Sequence, residues 1–208
     1  MKWEKEIRGY EVSACFGANG CPNVAYSSQA LVKDIELIFQ KADIRGFLKN
    51  TVEGDLKFHH EFRVSVSDCP NACSRPQIVD IGIIGAAIPG VSDEPCTRCM
   101  ACVEACREKA IVLETDQPMP LINMDLCLMC KQCILACPAG ALEEKQNGFH
   151  VFLGGRLGRH PRLAMEIAGL KTHAEVLAVV KNSIAFYKKN SKNGQRFSQI
   201  LSSVDQVL

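Results

Sequence analysis

Residues 96–106 read Cys96-Thr97-Arg98-Cys99-Met100-Ala101-Cys102-Val103-Glu104-Ala105-Cys106. Residues 127–138 read Cys127-Leu128-Met129-Cys130-Lys131-Gln132-Cys133-Ile134-Leu135-Ala136-Cys137-Pro138. Both runs space their cysteines C-x2-C-x2-C-x3-C, the ligand pattern of a chain that holds two [4Fe–4S] clusters. Three cysteines on one tight loop reach three corners of a cubane, and the last cysteine of the other run supplies the fourth. Cys96, Cys99, Cys102 and Cys137 are therefore expected to form one quartet, and Cys127, Cys130, Cys133 and Cys106 the other. The chemistry such a pattern carries is one-electron transfer at low potential. Zinc ribbons also use C-x2-C pairs, but two pairs satisfy one zinc ion and leave half of each run unexplained. A disulfide scaffold belongs to secreted chains, and Met1-Lys2-Trp3-Glu4-Lys5 shows no apolar signal core.

The runs begin 31 residues apart (127 − 96) and form an internal repeat. Each is followed by a short apolar stretch, Ala110-Ile111-Val112-Leu113 and Ala139-Gly140-Ala141-Leu142, read as a small strand that closes the unit. Pro89, Gly90 and Pro95 mark its upstream edge and Gln146-Asn147-Gly148 its downstream edge. The expectation is a compact ferredoxin-like insert over 91–146, too small for much core and held largely by metal ligation. Residues 1–90 and 147–190 then make the surrounding domain, and 191–208 a C-terminal tail.

Composition suits a soluble globular chain: 208 residues, 47% hydrophobic, net charge +1. The balanced charge argues against nucleic acid and a charged membrane surface as partners, and no apolar stretch approaches the ~20 residues of a membrane span. Twelve cysteines without a secretion signal point to a reducing, anaerobic cytoplasm.

Outside the insert four cysteines remain, Cys15 and Cys21, Cys69 and Cys73. Phe62-Arg63-Val64-Ser65-Val66-Ser67 alternates and is β-prone, so it delivers Cys69 and Cys73 on the turn that follows. Ile78 to Ile84 is a second apolar strand, ended by Gly85. Val24, Leu31, Val32, Ile35, Ile38 and Phe39 mark one amphipathic helix whose stripe is core. Thr172 with Glu175 three residues on forms a capping box for a later helix. The fold class is thus α+β, a small mixed or antiparallel sheet with helices and the insert as a separate lobe. The four leftover cysteines are either inert buried thiols or a third metal site beside Gly, Pro and Asn turn residues.

Three stretches together resemble the sirohaem/[4Fe–4S] module of sulfite and nitrite reductases. They are Ala14-Cys15-Phe16-Gly17…Cys21, Arg63…Cys69-Pro70-Asn71-Ala72-Cys73…Asp80-Ile81-Gly82-Ile83-Ile84-Gly85, and Val151-Phe152-Leu153-Gly154-Gly155-Arg156-Leu157-Gly158-Arg159-His160-Pro161-Arg162. The order, ferredoxin insert included, is similar to anaerobic and dissimilatory sulfite reductases, over residues of about 10 to 187. The resemblance implies that Cys15, Cys21, Cys69 and Cys73 hold a third [4Fe–4S] cluster and that Cys73 bridges it to a sirohaem iron. It implies an insert that carries electrons in from an external donor such as ferredoxin, and a small oxyanion substrate, sulfite or nitrite. Arg156, Arg159, His160 and Arg162 become candidates to neutralise the tetrapyrrole carboxylates, against the alternative of a solvated basic turn. About a dozen residues precede Cys15, so the half-domain that such reductases place there is expected from a second copy or a partner subunit. Asp68 stands where the family usually has glycine, and its charge would face an anionic tetrapyrrole. Two functions follow: a sulfite- or nitrite-reductase-type enzyme, or a non-catalytic iron–sulfur electron carrier on the same scaffold without haem. Phe197, Ile200, Leu201 and Val204 form a short amphipathic end suited to docking on a neighbour.

Overall fold

The structure, a computed structural model, describes residues 6–208 and is built on one five-stranded mixed sheet. Its strands, in spatial order, are β1 (Tyr10–Ala14), β2 (Phe62–Ser67), β3 (Ile81–Val91), β6 (Leu142–Leu153) and β7 (Met165–Lys171). β1, β2 and β3 run parallel, whereas β6 and β7 are antiparallel to their neighbours. Two further strands, β4 (Ile111–Val112) and β5 (Leu121–Ile122), pair on their own within the insert. The α+β expectation holds.

Strand alternation decides what each sheet face carries. Phe62, Val64 and Val66 of β2 are buried in the main core, which they share with Ile81, Ile83, Val151 and Leu153. Helices α1 (Gln29–Ala42), α2 (Ile44–Thr51) and α5 (His173–Asn190) contribute to that core. α1 buries Leu31, Ile35 and Phe39, one face at a spacing of four; Val24 lies ahead of the helix. α2 follows after a single left-handed residue, Asp43, whose carboxylate accepts from Gly46 N–H at 3.0 Å. α5 starts on the expected capping box: Glu175 N–H donates to Thr172 Oγ1, and Thr172 N–H donates to Glu175 Oε2 at 2.8 Å.

The insert sits at the tip of a long hairpin. β3 and β6 pair from Ile81↔Leu153 to Val91↔Leu142, so residues 92–141 are what the hairpin carries. This corrects two readings of the sequence: the strand does not end at Gly85, and Pro89-Gly90 and Gln146-Asn147-Gly148 lie within strands. Pro89 is accommodated because the register shifts between Ile88 and Pro89. Gly85 and Gly148 mark close backbone approach, since a Cβ would lie 2.4 Å from Tyr26 O and 2.8 Å from Lys171 O respectively. After the second cysteine run no separate strand forms; Leu142 begins β6 directly.

The tail is also corrected. Phe197 in α6 (Phe197–Ile200) and Leu201 are buried in the chain's own core, with Phe197 against Phe62 at a ring separation of 5.1 Å. Arg196, just ahead of α6, pairs with the buried Asp80 at 3.3 Å. Asp80 also accepts from Arg63 N–H at 3.0 Å. Burial pushes the Asp80 carboxyl up, and Arg196 and Arg63 oppose the shift.

Candidate metal centres

Cys15 follows β1 directly, and Asp68 and Cys69 follow β2. Because the two strands are parallel neighbours in register Ala14↔Val66, their C-terminal ends release the two cysteine segments side by side. The crossover that parallel pairing demands consumes the intervening residues as α1 and α2. That is how cysteines more than fifty positions apart meet. Cys15 N–H donates to Val66 O at 3.0 Å, and Asp68 N–H points at Cys15 Sγ at 3.3 Å. Gly17 N–H adds a second donor to the same sulfur at 3.4 Å. Burial pushes the Cys69 thiol up, opposed by an Asn71 backbone hydrogen bond and reinforced by Cys15, Cys73 and Cys21. Cys15, Cys21 and Cys73 thus all lie near enough to Cys69 to act on its thiol.

Cys69 is buried, whereas Cys73 is exposed on the same turn. Its position is fixed from below by β2, whose second face carries Ser65 and Ser67. Ser74 N–H donates to Ser67 Oγ at 3.2 Å, Ser74 Oγ donates to Val66 O at 2.8 Å, and Ser65 Oγ donates to Ser74 O at 2.5 Å. The sequence reading passed over these serines, though their alternation with Val64 and Val66 was visible.

Asp68 corrects another expectation. It is buried, and Ser28 donates to its Oδ1 through both the backbone N–H (3.1 Å) and the hydroxyl. The carboxylate thus turns inward and holds the residue before α1, away from any outward-facing ligand. A Cβ on Gly17 would meet Asp68 Oδ2 at 1.8 Å, so glycine at 17 is the counterpart of aspartate at 68.

In the insert the two runs repeat backbone as well as sequence. Arg98 and Met129 have φ 56° and 55°, Met100 and Lys131 have φ 63° and 69°. Helices α3 (Ala101–Ala105) and α4 (Gln132–Ala136) each present the fourth cysteine at the C-cap. Arg98 N–H points at Cys96 Sγ and Met129 N–H at Cys127 Sγ, both at 3.4 Å. The fourth cysteines cross over. Cys96, Cys99, Cys102 and Cys137 line one small cavity, while Cys106 joins Cys127, Cys130 and Cys133 around another. Burial, then Cys127 and Cys130, push the Cys133 thiol up to about 12. A thiol held that far above its ordinary range ionises only against a cation, which suits a cluster's iron. Among the described residues, no group of three or more Cys, His, Asp or Glu converges on a point that could hold a single metal ion.

The second cavity, of about 410 Å³, reaches from that quartet to Cys69, Pro70 and Asn71. Ala87 N–H of β3 donates to Met129 O at 2.9 Å, and Lys131 pairs with Glu144 of β6 at 2.7 Å. These contacts anchor the second run, rather than the first, against the sheet.

The four proposed tetrapyrrole cations divide. Arg162 donates to Gly154 O at 2.8 Å and to Leu201 O at 3.3 Å; Arg156 donates to His160 O at 2.8 Å and to Ser198 O at 3.3 Å. Both thereby tie the 156–162 turn to the tail. Arg159 and His160 are exposed at the turn's tip. Exposed Arg75, two residues past Cys73, was not singled out from sequence. Of the N-terminal cations, Lys2 and Lys5 lie outside the described residues, and Arg8 pairs with Glu36 at 3.2 Å.

A two-pair cysteine site at the ends of parallel strands, with a hairpin carrying eight more cysteines, defines an iron–sulfur protein. The chain belongs to the nitrite and sulphite reductase 4Fe-4S domain family, whose model matches residues 8–205. It is 30% identical over 183 residues to the coenzyme F420-dependent sulfite reductase of Methanocaldococcus jannaschii, covering 88% of this chain and 27% of that protein. It is 27% identical to a subunit of the anaerobic sulfite reductase of Salmonella typhimurium, covering 88% of this chain and 50% of that one. The chain thus spans half or less of the length of these relatives. Its fold is similar to the crystal structure of dissimilatory sulfite reductase I, with TM-score 0.60 at 16% identity, covering 91% of this chain and 48% of the other. No helix among the described residues is long and apolar enough to cross a membrane.

Proposed function

We propose that this chain is the electron-delivering and haem-bridging part of a cytoplasmic sulfite or nitrite reductase. Its three cysteine quartets hold three [4Fe–4S] clusters. Clusters held at the Cys96/Cys99/Cys102/Cys137 and Cys106/Cys127/Cys130/Cys133 sites would supply one-electron relay from an external donor such as ferredoxin toward Cys15/Cys21/Cys69/Cys73. The observation that carries this reading is the shared cavity: Cys69 and the second insert quartet face the same space. Sirohaem, when bound, supplies the iron at which sulfite or nitrite is reduced. Cys73, held by Ser74 and open to the outside, would be its ligand on this chain. Arg159 and His160, exposed at the turn's tip, would meet its carboxylates, while Arg156 and Arg162 shape the turn that presents them. The remaining wall of the haem pocket comes from a second copy or a partner subunit.

The test is anaerobic reconstitution of the full chain with iron and sulfide, with and without sirohaem. The expected result is three cubanes' worth of iron and labile sulfide, plus porphyrin bands that appear only with sirohaem. Cys73→Ser should abolish haem–cube coupling and leave both insert EPR signals intact. An Fe–S shoulder without haem bands would instead favour a haem-free electron carrier.

A further inference from the structure

Superposing one cysteine run on the other by sequence exposes an asymmetry. The residue before the third cysteine is Ala101 in the first run and Gln132 in the second, and each opens its short helix. Gln132 lines the cavity that Cys106, Cys127, Cys130 and Cys133 share. Its Nε2 is buried, with no hydrogen-bond partner among the described residues. A buried amide donor left unpaired keeps its full desolvation penalty, so such a group asks for an acceptor that the described residues do not provide. The neighbouring Lys131 cannot supply it, since its ammonium is itself a donor and is paired with Glu144.

We infer that the Gln132 amide donates a hydrogen bond to a sulfur of the cluster held by Cys106, Cys127, Cys130 and Cys133, and so raises its reduction potential above that of its twin. The inference rests on the cluster assignment proposed above. A donor aimed at a cluster sulfur stabilises the more negative, reduced state, which moves the potential upward. Ala101 offers the twin site no donor. The outer cluster is therefore the stronger reductant and the sheet-facing one the better acceptor, which directs electrons inward toward Cys69.

The experiment is an EPR-monitored redox titration of the anaerobically reconstituted full chain beside Gln132→Met and Ala101→Gln, with iron and sulfide measured in each. Gln132→Met keeps the bulk and removes the donor. It should lower the midpoint of one insert signal by about a tenfold change in its redox equilibrium, about 59 mV for one electron. Ala101→Gln should raise the other signal. Unchanged midpoints at full cluster content would overturn the inference, as would both variants moving the same signal. If Gln132→Met fails to load its cluster, Ala101→Gln decides alone: a rise supports the inference and no rise overturns it. An unmodified chain lacking two cubanes in the insert would sink the cluster assignment and this inference together, a failure visible in the iron content before any potential is compared.

Discussion

The sheet module and the insert are made of the same chain but hold together by different physics. The module buries a continuous core of Leu, Ile, Val, Phe and Tyr side chains from β1–β3, β6, β7, α1, α2 and α5. The insert's own cluster has four buried residues, Cys102, Ile111, Cys133 and Leu142, and two of these are metal-ligand candidates. Leu142 moreover belongs to β6. With so little apolar surface to remove from water, the insert would depend on the proposed cluster ligation, which would tie residues 96–106 to 127–137 in two places. The difference teaches where metal loss should matter.

The largest expected effect tests that contrast directly. Anaerobic removal of iron should strip amide-exchange protection from residues 92–141 while β1, β2 and α5 keep theirs. Hydrogen exchange read by mass spectrometry on the holo and stripped chain measures it. Equal loss of protection in both regions would mean that the module, too, is metal-built. Structural metal sites contribute on the order of 10 kcal/mol to small domains, so the insert should change by orders of magnitude in protection.

A smaller effect comes from the module side. Asp80 is fully enclosed beneath Arg196, and removing one partner leaves an uncompensated buried charge. Arg196→Met is expected to cost about 3–5 kcal/mol of stability, read from the denaturant midpoint of the sheet's unfolding. The double variant Arg196→Met/Asp80→Asn should recover part of that loss, since the orphaned carboxylate is then gone. The insert's iron content should not respond to either.

Legibility in the sequence divides along related lines. The grouping of the insert cysteines around two cavities was readable because cysteine spacing is a local signal. β2, α1 and the start of α5 were readable for the same reason: alternation, a stripe at a spacing of four, and the Thr172/Glu175 box are short-range signals. What failed was long-range. Gly85, Pro89 and Gln146-Asn147-Gly148 carry turn chemistry, yet they sit in strands: Gly85 and Gly148 because the close approach of Tyr26 and Lys171 needs the missing side chain, Pro89 because the register shifts beside it. Asp68 looked like a charge beside the cofactor, but only the fold reveals Ser28 waiting for it. The tail read as an amphipathic end for docking on a neighbour, since nothing local tells Phe197 that Phe62 and Phe186 of its own chain form its socket.

The smallest effect appears only at high pH and probes that socket. Tyr187 is 2% exposed, packed on Phe62, and burial pushes its phenol up to about 12. Its folded-state pKa lies above the unfolded value near 10, so the folded chain holds the proton more tightly. The resulting stability is fully present below pH 10 and is lost as pH rises through 12. Two units correspond to roughly 2–3 kcal/mol. Tyr187→Phe should therefore flatten the fall in the sheet's denaturation midpoint between pH 10 and 12, with little change at pH 8. Because the insert contributes no such buried phenol, its cluster signals should follow the sheet's alkaline loss rather than lead it. If the cluster bleaches first in both the parent and Tyr187→Phe, the weak region at high pH is the thiolate cage and not the aromatic core.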